Sequence, residues 1–279
     1  MNAASGESDQ LQNHICVTCG TQYPATVAPP AHCPICEDER QYIGANGQEW
    51  TTLAKMKGEY RNAVRQHEEN IWGIGTEPKF AIGQRALLLQ TKSGNVLWDC
   101  ISFLDDETIA RVKNLGGISA IAISHPHYYS SMIEWSRAFG NVPIYLHEAE
   151  RPWVQRPDPA IQFWSGEQKE LGDGLTLIRT GGHFEGYQVL HWRDGAAGKG
   201  ALLSGDQPFV TADRRWVSFM YSYPNFIPHN ASTVRRIVSA LEPFAYERIY
   251  GAWWQSIVEN DAKGAVQRSA ERYLRAISG

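Results

Sequence analysis

The segment from residue 118 to residue 140 constrains the fold more than any other part of the sequence. Residues 118–123 (ISAIAI) are apolar and rich in β-branched side chains, which predicts a short buried strand. Residues 132–140 (MIEWSRAFG) have apolar side chains at helical spacing and end at a glycine, which predicts a helix. The loop between them carries His125 and His127. On an extended backbone both imidazoles point to the same face, about 6–7 Å apart at Cα, so this loop could hold one metal ion.

Two Cys-x-x-Cys pairs near the N-terminus predict a separate metal-binding unit. Cys16 and Cys19 form the first pair, and Cys33 and Cys36 form the second. Four thiolates in this pattern can enclose a tetrahedral ion without a large apolar core. The pairs resemble the rubredoxin-like knuckles of rubrerythrins, which implies iron as an alternative to zinc. We predict a structural zinc site within a unit that covers residues 11–44.

Length and charge limit what the rest of the chain can be. With 279 residues, 43% of them hydrophobic, residues 45–279 can form one large domain. Residues 1–10 lack the basic and apolar regions of a signal peptide, so we interpret them as a disordered tail. A net charge of −4 argues against a nucleic-acid partner or an anionic membrane surface, and no apolar run is long enough to span a bilayer. We therefore expect a cytoplasmic protein with a small-molecule substrate, and a homodimer is compatible with the sequence.

Strands and helices are predicted to alternate over residues 96–146, which favours parallel strand pairing in that part of the large domain. In the first half we expect a polar, helix-compatible segment over about 48–70, strands over 70–74, 85–91, 96–100 and 142–146, and a helix over 105–115. In the second half we expect strands over 175–180, 187–192, 200–204, 216–220 and 248–250, and helices over 232–241 and 262–277. The turn at 93–95 predicts a hairpin. Because the order of elements repeats, we predict two sheets that pack against each other.

Two further candidate ligands follow predicted strands in the second half. His183 lies in the sequence GGHFEG, and Asp206 directly follows Gly205. The neighbouring glycines allow the backbone to approach a shared centre closely. Together with His125 and His127, these residues would provide three imidazoles and one carboxylate, which is a typical metal-ligand set.

These motifs resemble those of the metallo-β-lactamase fold superfamily, which includes glyoxalase II, lactonases and other hydrolases. The resemblance covers about residues 70–255 and uses LWDC at 97–100, SHPHYYS at 124–130, GGH at 181–183 and LSGD at 203–206. It implies an α/β fold, a four-layer αββα sandwich, with the small tetracysteine unit as an appendage. It also implies that His125, His127 and His183 bind one metal, that Asp206 is the bridging carboxylate, and that Asp99 supports the histidine loop.

The sequence departs from the family pattern at the second metal site. The family places Asp and His where this chain has Tyr129 and Ser130. It places a further histidine after a late strand, where this chain reads YGAWW over 250–254. We therefore predict that only one metal binds.

The function predicted from these residues is a mononuclear metal-dependent hydrolase of an ester, thioester, lactone or amide bond. Zinc held by the three histidines would activate a water molecule. Asp206 could bind the metal or act as general base, and Tyr129 or Tyr223 could donate a hydrogen bond to a developing oxyanion. Two alternatives stay open: an iron-dependent oxidoreductase, or a non-catalytic binding protein that retains one metal.

Overall fold

The computed structural model describes residues 10–278, so the tail predicted over residues 1–10 lies outside the described residues apart from Gln10. The strands are β1 (Gln12–Cys16), β2 (Gln22–Thr26), β3 (Trp50–Thr51), β4 (Arg61–Glu68), β5 (Ile71–Glu77), β6 (Arg85–Leu89), β7 (Val96–Trp98), β8 (Ala120–Ala122), β9 (Ile144–His147), β10 (Ile161–Trp164), β11 (Gln168–Gly172), β12 (Leu175–Arg179), β13 (Gln188–Trp192), β14 (Ala201–Gly205), β15 (Phe209–Val210), β16 (Val217–Ser218), β17 (Met220–Ser222), β18 (Ile227–Pro228), β19 (Arg248–Gly251) and β20 (Ile257–Val258). The helices are α1 (Pro34–Glu37), α2 (Leu53–Met56), α3 (Asp106–Asn114), α4 (Met132–Ala138), the single turn α5 (Gly195–Gly198), α6 (Ala231–Leu241) and α7 (Ala262–Ile277).

The first half of the large domain forms a seven-stranded sheet with the order β10-β9-β8-β7-β6-β5-β4. Strands β4 to β7 pair antiparallel, and the predicted hairpin joins β6 to β7. Strands β7 to β10 pair parallel, which confirms the pairing expected from the alternation of strands and helices. Helices α3 and α4 are the crossovers, and the Asp105 side chain caps α3 by accepting a hydrogen bond from the Thr108 amide at 2.8 Å.

The second half forms a six-stranded sheet with the order β11-β12-β13-β14-β19-β20. Only β14 and β19 pair parallel, and helix α6 lies between them in the chain. Asn230 caps α6 by accepting a hydrogen bond from the Thr233 amide at 2.9 Å. The strand predicted over 216–220 is divided, because residue 219 separates β16 from β17.

Three apolar clusters define the layers of the large domain. Side chains of both sheets meet in one cluster, which includes Leu87, Trp98 and Leu203. A second cluster packs α3 and α4 on the outer face of the first sheet, and a third packs α6 and α7 on the outer face of the second. The predicted four-layer αββα sandwich is therefore confirmed. Among the described residues no helix is long and apolar enough to cross a membrane.

The N-terminal cysteines form the centre of a small unit with its own sheet, in the order β2-β1-β3. The four cysteine side chains are buried with Tyr23 and Ile35. The Tyr23 ring packs edge-on against Trp50 at 5.0 Å. Because β3 pairs with β1, this sheet includes residues 50–51, beyond the boundary predicted at residue 44. The boundary itself stays a prediction.

The segment after the cysteine unit differs from the sequence prediction. The helix-compatible segment predicted over about 48–70 contains only the single helical turn of α2, which lies between strands β3 and β4. The prediction was wrong for the second part of this segment, because Arg61–Glu68 form β4 at the edge of the seven-stranded sheet. Several side chains of β4 are exposed, so it lacks the alternation of apolar and polar residues that identifies a strand in a sequence.

Candidate metal centre

The histidine loop follows β8 at the carboxyl end of the parallel strands. Its backbone differs from the prediction: only His125 is extended, with φ −168° and ψ 173°, and residues Pro126–Tyr128 form a 3₁₀ turn. Proline is favoured at the first position of such a turn because its φ is already restricted. The two imidazoles still converge, with ring centroids 5.0 Å apart.

His183 and Asp206 follow strands β12 and β14 of the second sheet, so the two sheets contribute ligands at the same edge of the sandwich. Gly205 has a positive φ of 59°. A Cβ atom at this residue would lie 2.8 Å from Ser124 Oγ and 2.9 Å from Tyr187 Oη. Glycine is therefore required where the Asp206 turn meets the histidine loop.

The ligand atoms have the spacing that a single ion needs. The Oδ2 atom of Asp206 lies 3.3 Å from His125 Nε2, and His127 Nδ1 lies 3.3 Å from His183 Nε2. All four ligand atoms lie within 4.8 Å of one another. A tetrahedral ion with bonds of about 2.0–2.1 Å separates its ligands by about 3.3–3.4 Å. These residues therefore fit a metal ion of the size of zinc.

Hydrogen bonds fix which imidazole nitrogens are free to bind a metal. Ser124 Oγ donates to Asp99 Oδ1 at 2.7 Å and lies 2.9 Å from His125 Nδ1. The Nδ1–H of His125 can donate to this hydroxyl, which leaves its Nε2 lone pair facing Asp206. Similarly, His183 Nδ1 lies 2.6 Å from the carbonyl oxygen of Tyr221, so its Nε2 is the free acceptor. Asp99 thus supports the histidine loop in the way that the resemblance implied.

Burial makes this cluster suitable for a cation. The exposed fractions of His125, His127, His183 and Asp206 are 0%, 2%, 1% and 6%. Burial lowers the pKa of all three imidazoles well below the usual value, so they are neutral ligands at neutral pH. Burial also raises the pKa of Asp206 to about 6. Without a cation, the acceptor atoms of His125 and Asp206 would face each other across 3.3 Å, and His125 Nε2 has no hydrogen-bond partner in the described structure.

The four cysteines have equally suitable geometry. Cys16 Sγ lies 3.5 Å from Cys36 Sγ, and Cys19 Sγ lies 3.6 Å from Cys33 Sγ. A tetrahedral thiolate site with bonds of about 2.3 Å separates its sulfur atoms by about 3.8 Å. Tyr23 Oη donates a hydrogen bond to Cys33 Sγ at 3.1 Å, and Gln48 Nε2 donates to Cys16 Sγ at 3.1 Å. Both contacts favour thiolates over thiols.

The two tyrosines predicted to act in catalysis lie in different surroundings. Tyr223 Oη donates to the Asp206 carbonyl oxygen at 2.9 Å, and its ring centroid lies 6.0 Å from that of His183. Tyr129 is buried in the core of the first sheet, and its hydroxyl donates to the Glu150 carbonyl oxygen at 3.4 Å. The structure therefore brings Tyr223, but not the hydroxyl of Tyr129, to the ligand cluster, and both roles stay predictions.

Several residues around the cluster were not identified from the sequence. The Phe184 ring packs against all three histidine rings, at 5.2 Å from His127 and 5.1 Å from His183. Tyr187 stacks on His125 at 4.8 Å and accepts a hydrogen bond from the Gln207 amide at 2.8 Å. Arg40, from the cysteine unit, donates to the His183 carbonyl oxygen at 3.2 Å. Phe184 and Tyr187 lie close to His183 in the sequence, and this closeness is the one feature that could have identified them. No feature of the sequence indicated that Arg40 contacts the cluster.

Comparison with solved structures defines the fold. The chain resembles VMB-1 (TM-score 0.58, 15% identity) and DIM-1 metallo-β-lactamase (TM-score 0.57, 14% identity), and in each case the match covers 77% of this chain and 98% of the other. A B3 metallo-β-lactamase with an active-site glutamic acid matches with a TM-score of 0.53 and 17% identity, over 77% of this chain and 88% of the other. The protein therefore has the metallo-β-lactamase fold. No family model matches the sequence.

A relative of nearly equal length places the chain in a family. YmaE of Bacillus subtilis (strain 168), described as an uncharacterized protein, is 54% identical over 267 residues, which cover 95% of this chain and 97% of YmaE. The chain belongs to the same family as YmaE. Since the match covers 95% of the chain, this family combines the metallo-β-lactamase fold with an N-terminal extension.

Proposed function

We propose that this protein is a mononuclear metal-dependent hydrolase that cleaves an ester, thioester, lactone or amide bond of a small molecule. The observation that carries the proposal is the convergence of three neutral imidazoles and one carboxylate at the edge of the sandwich, with ligand atoms 3.3 Å apart. Neutral nitrogen ligands and one carboxylate favour zinc, and iron is the alternative.

The residues around the cluster support hydrolysis. A bound zinc ion supplies a Lewis acid and lowers the pKa of a water ligand to about 7. Asp206 is the most exposed of the four residues, so its carboxylate is the group of this set best placed to accept a proton as a general base. Burial raises the pKa of Tyr223 well above its usual value, so its hydroxyl stays protonated and can donate to a developing oxyanion after a small rotation from the Asp206 carbonyl oxygen.

A single metal is supported by what fills the positions of a second site. The Ser130 carbonyl oxygen accepts a hydrogen bond from the Gln22 amide at 2.9 Å, so this part of the loop is covered by the cysteine unit. At the end of β19, Arg85 Nη1 donates to the Gly251 carbonyl oxygen at 2.6 Å. Arg85 is buried and has no carboxylate partner among the ion pairs of the described residues, so a fixed cation already lies beside the strand end where the family places its last histidine.

The approach to the cluster supports a small substrate with an apolar part. Next to Asp206, the Tyr223 ring lies 4.6 Å from Phe209, and Phe209 lies 5.3 Å from Trp253. These three half-buried rings form an aromatic rim beside Asp206, which Tyr223 contacts directly. Such a rim favours the acyl part of a small ester or lactone over a polymer.

Metal analysis combined with two substitutions tests the proposal. The purified protein should contain two metal ions, one in each cluster, and should hydrolyse members of a panel of small esters, thioesters, lactones and amides. His183→Ala should lose the metal of the histidine cluster and the activity together, and full activity in this variant would exclude the mechanism. Asp206→Asn separates two roles: retention of the metal with loss of activity supports a general base, whereas loss of the metal shows that Asp206 is a ligand. A protein that binds its metal but cleaves no member of the panel supports the binding-protein alternative.

An iron-dependent oxidoreductase is the second candidate, and one observation favours it. Trp153 packs against the cysteine cluster, and its ring lies 5.3 Å from Phe184, which contacts the three histidines. If both clusters held iron, electrons could pass between them by way of the adjacent rings of Trp153 and Phe184. An iron–thiolate absorption spectrum of the purified protein, together with iron at the histidine cluster, would favour this candidate over hydrolysis.

A further inference from the structure

The segment that follows α1 of the cysteine unit lies directly against the metal centre of the large domain. Its central residue is Arg40, whose side chain is only 12% exposed. The guanidinium carbon of Arg40 lies 3.9 Å from the ring centroid of Phe184, 4.9 Å from that of Trp153 and 5.3 Å from that of Tyr221. A guanidinium in such surroundings gains cation–π attraction and packing at the same time.

Hydrogen bonds fix the orientation of this guanidinium. Asp38 holds it by two contacts, Nε–Oδ1 at 2.5 Å and Nη2–Oδ2 at 2.8 Å. Its remaining nitrogen, Nη1, donates to the His183 carbonyl oxygen at 3.2 Å. Arg40 therefore joins a carboxylate of the cysteine unit to the backbone of a candidate metal ligand. Only the planar fork of arginine can make these contacts simultaneously.

A second set of contacts joins the same segment to the same histidine. Tyr221 Oη donates to Glu39 Oε1 at 2.7 Å, while the Tyr221 carbonyl oxygen lies 2.6 Å from His183 Nδ1. Asn225 Nδ2 donates to the carbonyl oxygens of Glu39 and Gln41, at 2.9 Å each. The segment 39–41 therefore supports His183 in two ways. Arg40 binds the backbone of His183 directly, and Glu39 binds Tyr221, whose carbonyl oxygen contacts the His183 ring.

We propose that the cysteine unit is a positioning element of the histidine centre, and that Arg40 is the positioning residue through which metal in the cysteine cluster increases the retention of metal in the histidine cluster. Residues 38–41 begin two positions after Cys36, so their conformation depends on the closure of the thiolate site. Because binding free energies are linked, metal in the histidine cluster also stabilises the docked cysteine unit. The proposal goes beyond hydrolysis and does not depend on it, because it concerns metal retention.

Cobalt(II) reports on both clusters in the full-length protein. Its visible bands report the nitrogen and oxygen site, and its near-ultraviolet charge-transfer bands report the thiolate site. After addition of a chelator, Arg40→Met should release cobalt from the histidine cluster about 10–100 times faster than the unchanged protein, the range expected when a partner of a ligand is lost. The thiolate bands of Arg40→Met should persist.

Matched variants separate positioning from general stability. Arg272→Met removes another guanidinium that stacks on an aromatic ring, at 3.8 Å from Trp216, and should release cobalt at the unchanged rate. Arg40→Lys keeps the charge but not the fork and should not restore slow release. Cys33→Ser should lose the thiolate bands and release cobalt from the histidine cluster as fast as Arg40→Met does.

Two results would overturn the proposal. One is an unchanged release rate from the histidine cluster in Arg40→Met or in Cys33→Ser. The other is complete rescue of slow release by Arg40→Lys, since the charge alone would then be sufficient. If Arg40→Met does not fold, Arg40→Lys decides: faster release at an unchanged melting temperature supports the proposal, and an unchanged rate contradicts it.

Discussion

The two candidate metal clusters of this protein are built in opposite ways. The four cysteines lie within residues 16–36 and are surrounded by a core that, beyond the cysteines, consists of Tyr23 and Ile35 with Trp50 and Trp153 packed against it. The histidine cluster takes its ligands from three loops, between His125 and Asp206, at the edge of two sheets with three extensive apolar clusters.

This difference indicates which part of the molecule depends on its metal. The cysteine cluster has few apolar side chains around it, so we expect the fold of the cysteine unit to depend on a bound ion. The sandwich has an extensive apolar core that contains no ion, so we expect its fold to hold the histidine cluster in place before any metal binds. Loss of metal should therefore unfold the first region and only inactivate the second.

The largest expected effect is a loss of local stability when the cysteine cluster is disrupted. Cys33→Ser removes one thiolate from a site whose ion can contribute about 10–16 kcal/mol to local folding. Residues 12–51 should become sensitive to proteolysis while the sandwich still unfolds cooperatively. Cys100→Ser is the matched control, because this cysteine is buried in the core of the first sheet and should leave the unit protected. Continued protection of residues 12–51 in Cys33→Ser would show that the ion is not needed there.

The next largest effect is expected from His127→Ala, which removes one of the three imidazoles. Hydrolysis of the best substrate in the panel should fall by at least about a thousandfold, because activation of water depends on the metal. Circular dichroism and the melting temperature should change little. His191→Ala is the control, because this histidine is also buried but contacts the Ala245 carbonyl oxygen instead of the cluster. Unfolding of His127→Ala would instead show that this region also depends on its metal.

The next prediction concerns Glu150 and the pH dependence of the free energy of unfolding. Its carboxylate accepts a hydrogen bond from the Gly186 amide in the loop of His183, and burial raises its pKa to about 7 from 4.5. Between these values the folded state holds a proton that the unfolded state has lost. The free energy of unfolding should therefore fall as pH rises from about 4.5 to 7, by about 3 kcal/mol in total.

Glu150→Gln should abolish this fall. Denaturant titrations should show a gain of up to about 3 kcal/mol at pH 8 and none near pH 4. The exposed Glu148→Gln serves as the control. A parallel pH dependence in Glu150→Gln and the unchanged protein would contradict the assignment of this proton to Glu150.

The smallest effect is expected from Ser124→Ala, which removes the hydroxyl between Asp99 and His125. Metal affinity of the histidine cluster should fall about 10–100-fold in a competition titration, because the imidazole loses the partner that fixes its tautomer. Ser136→Ala removes a hydroxyl that is equally buried but bonds the Val142 carbonyl oxygen, and should not change the affinity. Equal affinities in both variants would mean that packing alone orients His125.

The sequence predicted the layers of the fold because they depend on local patterns. Buried strands such as β8 and β14 are short apolar runs, and α7 has the predicted bounds because its apolar residues recur at helical spacing. The convergence of the four candidate ligands was also predictable, since each follows a strand and lies beside glycine or proline. The loop conformation was not, because an extended backbone and a 3₁₀ turn both bring His125 and His127 together.

The contacts between the two regions could not be predicted from the sequence. Arg40 lies 143 residues from His183 in the chain and belongs to no motif. Its role depends on the docking of one folded unit on another, which no local pattern encodes. Strand β4 was missed for a related reason, because an edge strand is defined by its partner β5 and not by its own composition.

The position of the cysteine unit also sets an order of assembly. Its four cysteines precede all four members of the histidine cluster in the chain, so we expect this unit to be made, and able to bind an ion, before the sandwich exists. Its docking contacts reach forward to Ser102, Ser130, His183 and Tyr221, and the last of these residues is made after all four members of the histidine cluster. The histidine cluster is therefore complete in sequence before the contact between Glu39 and Tyr221, the last of these docking contacts, can form.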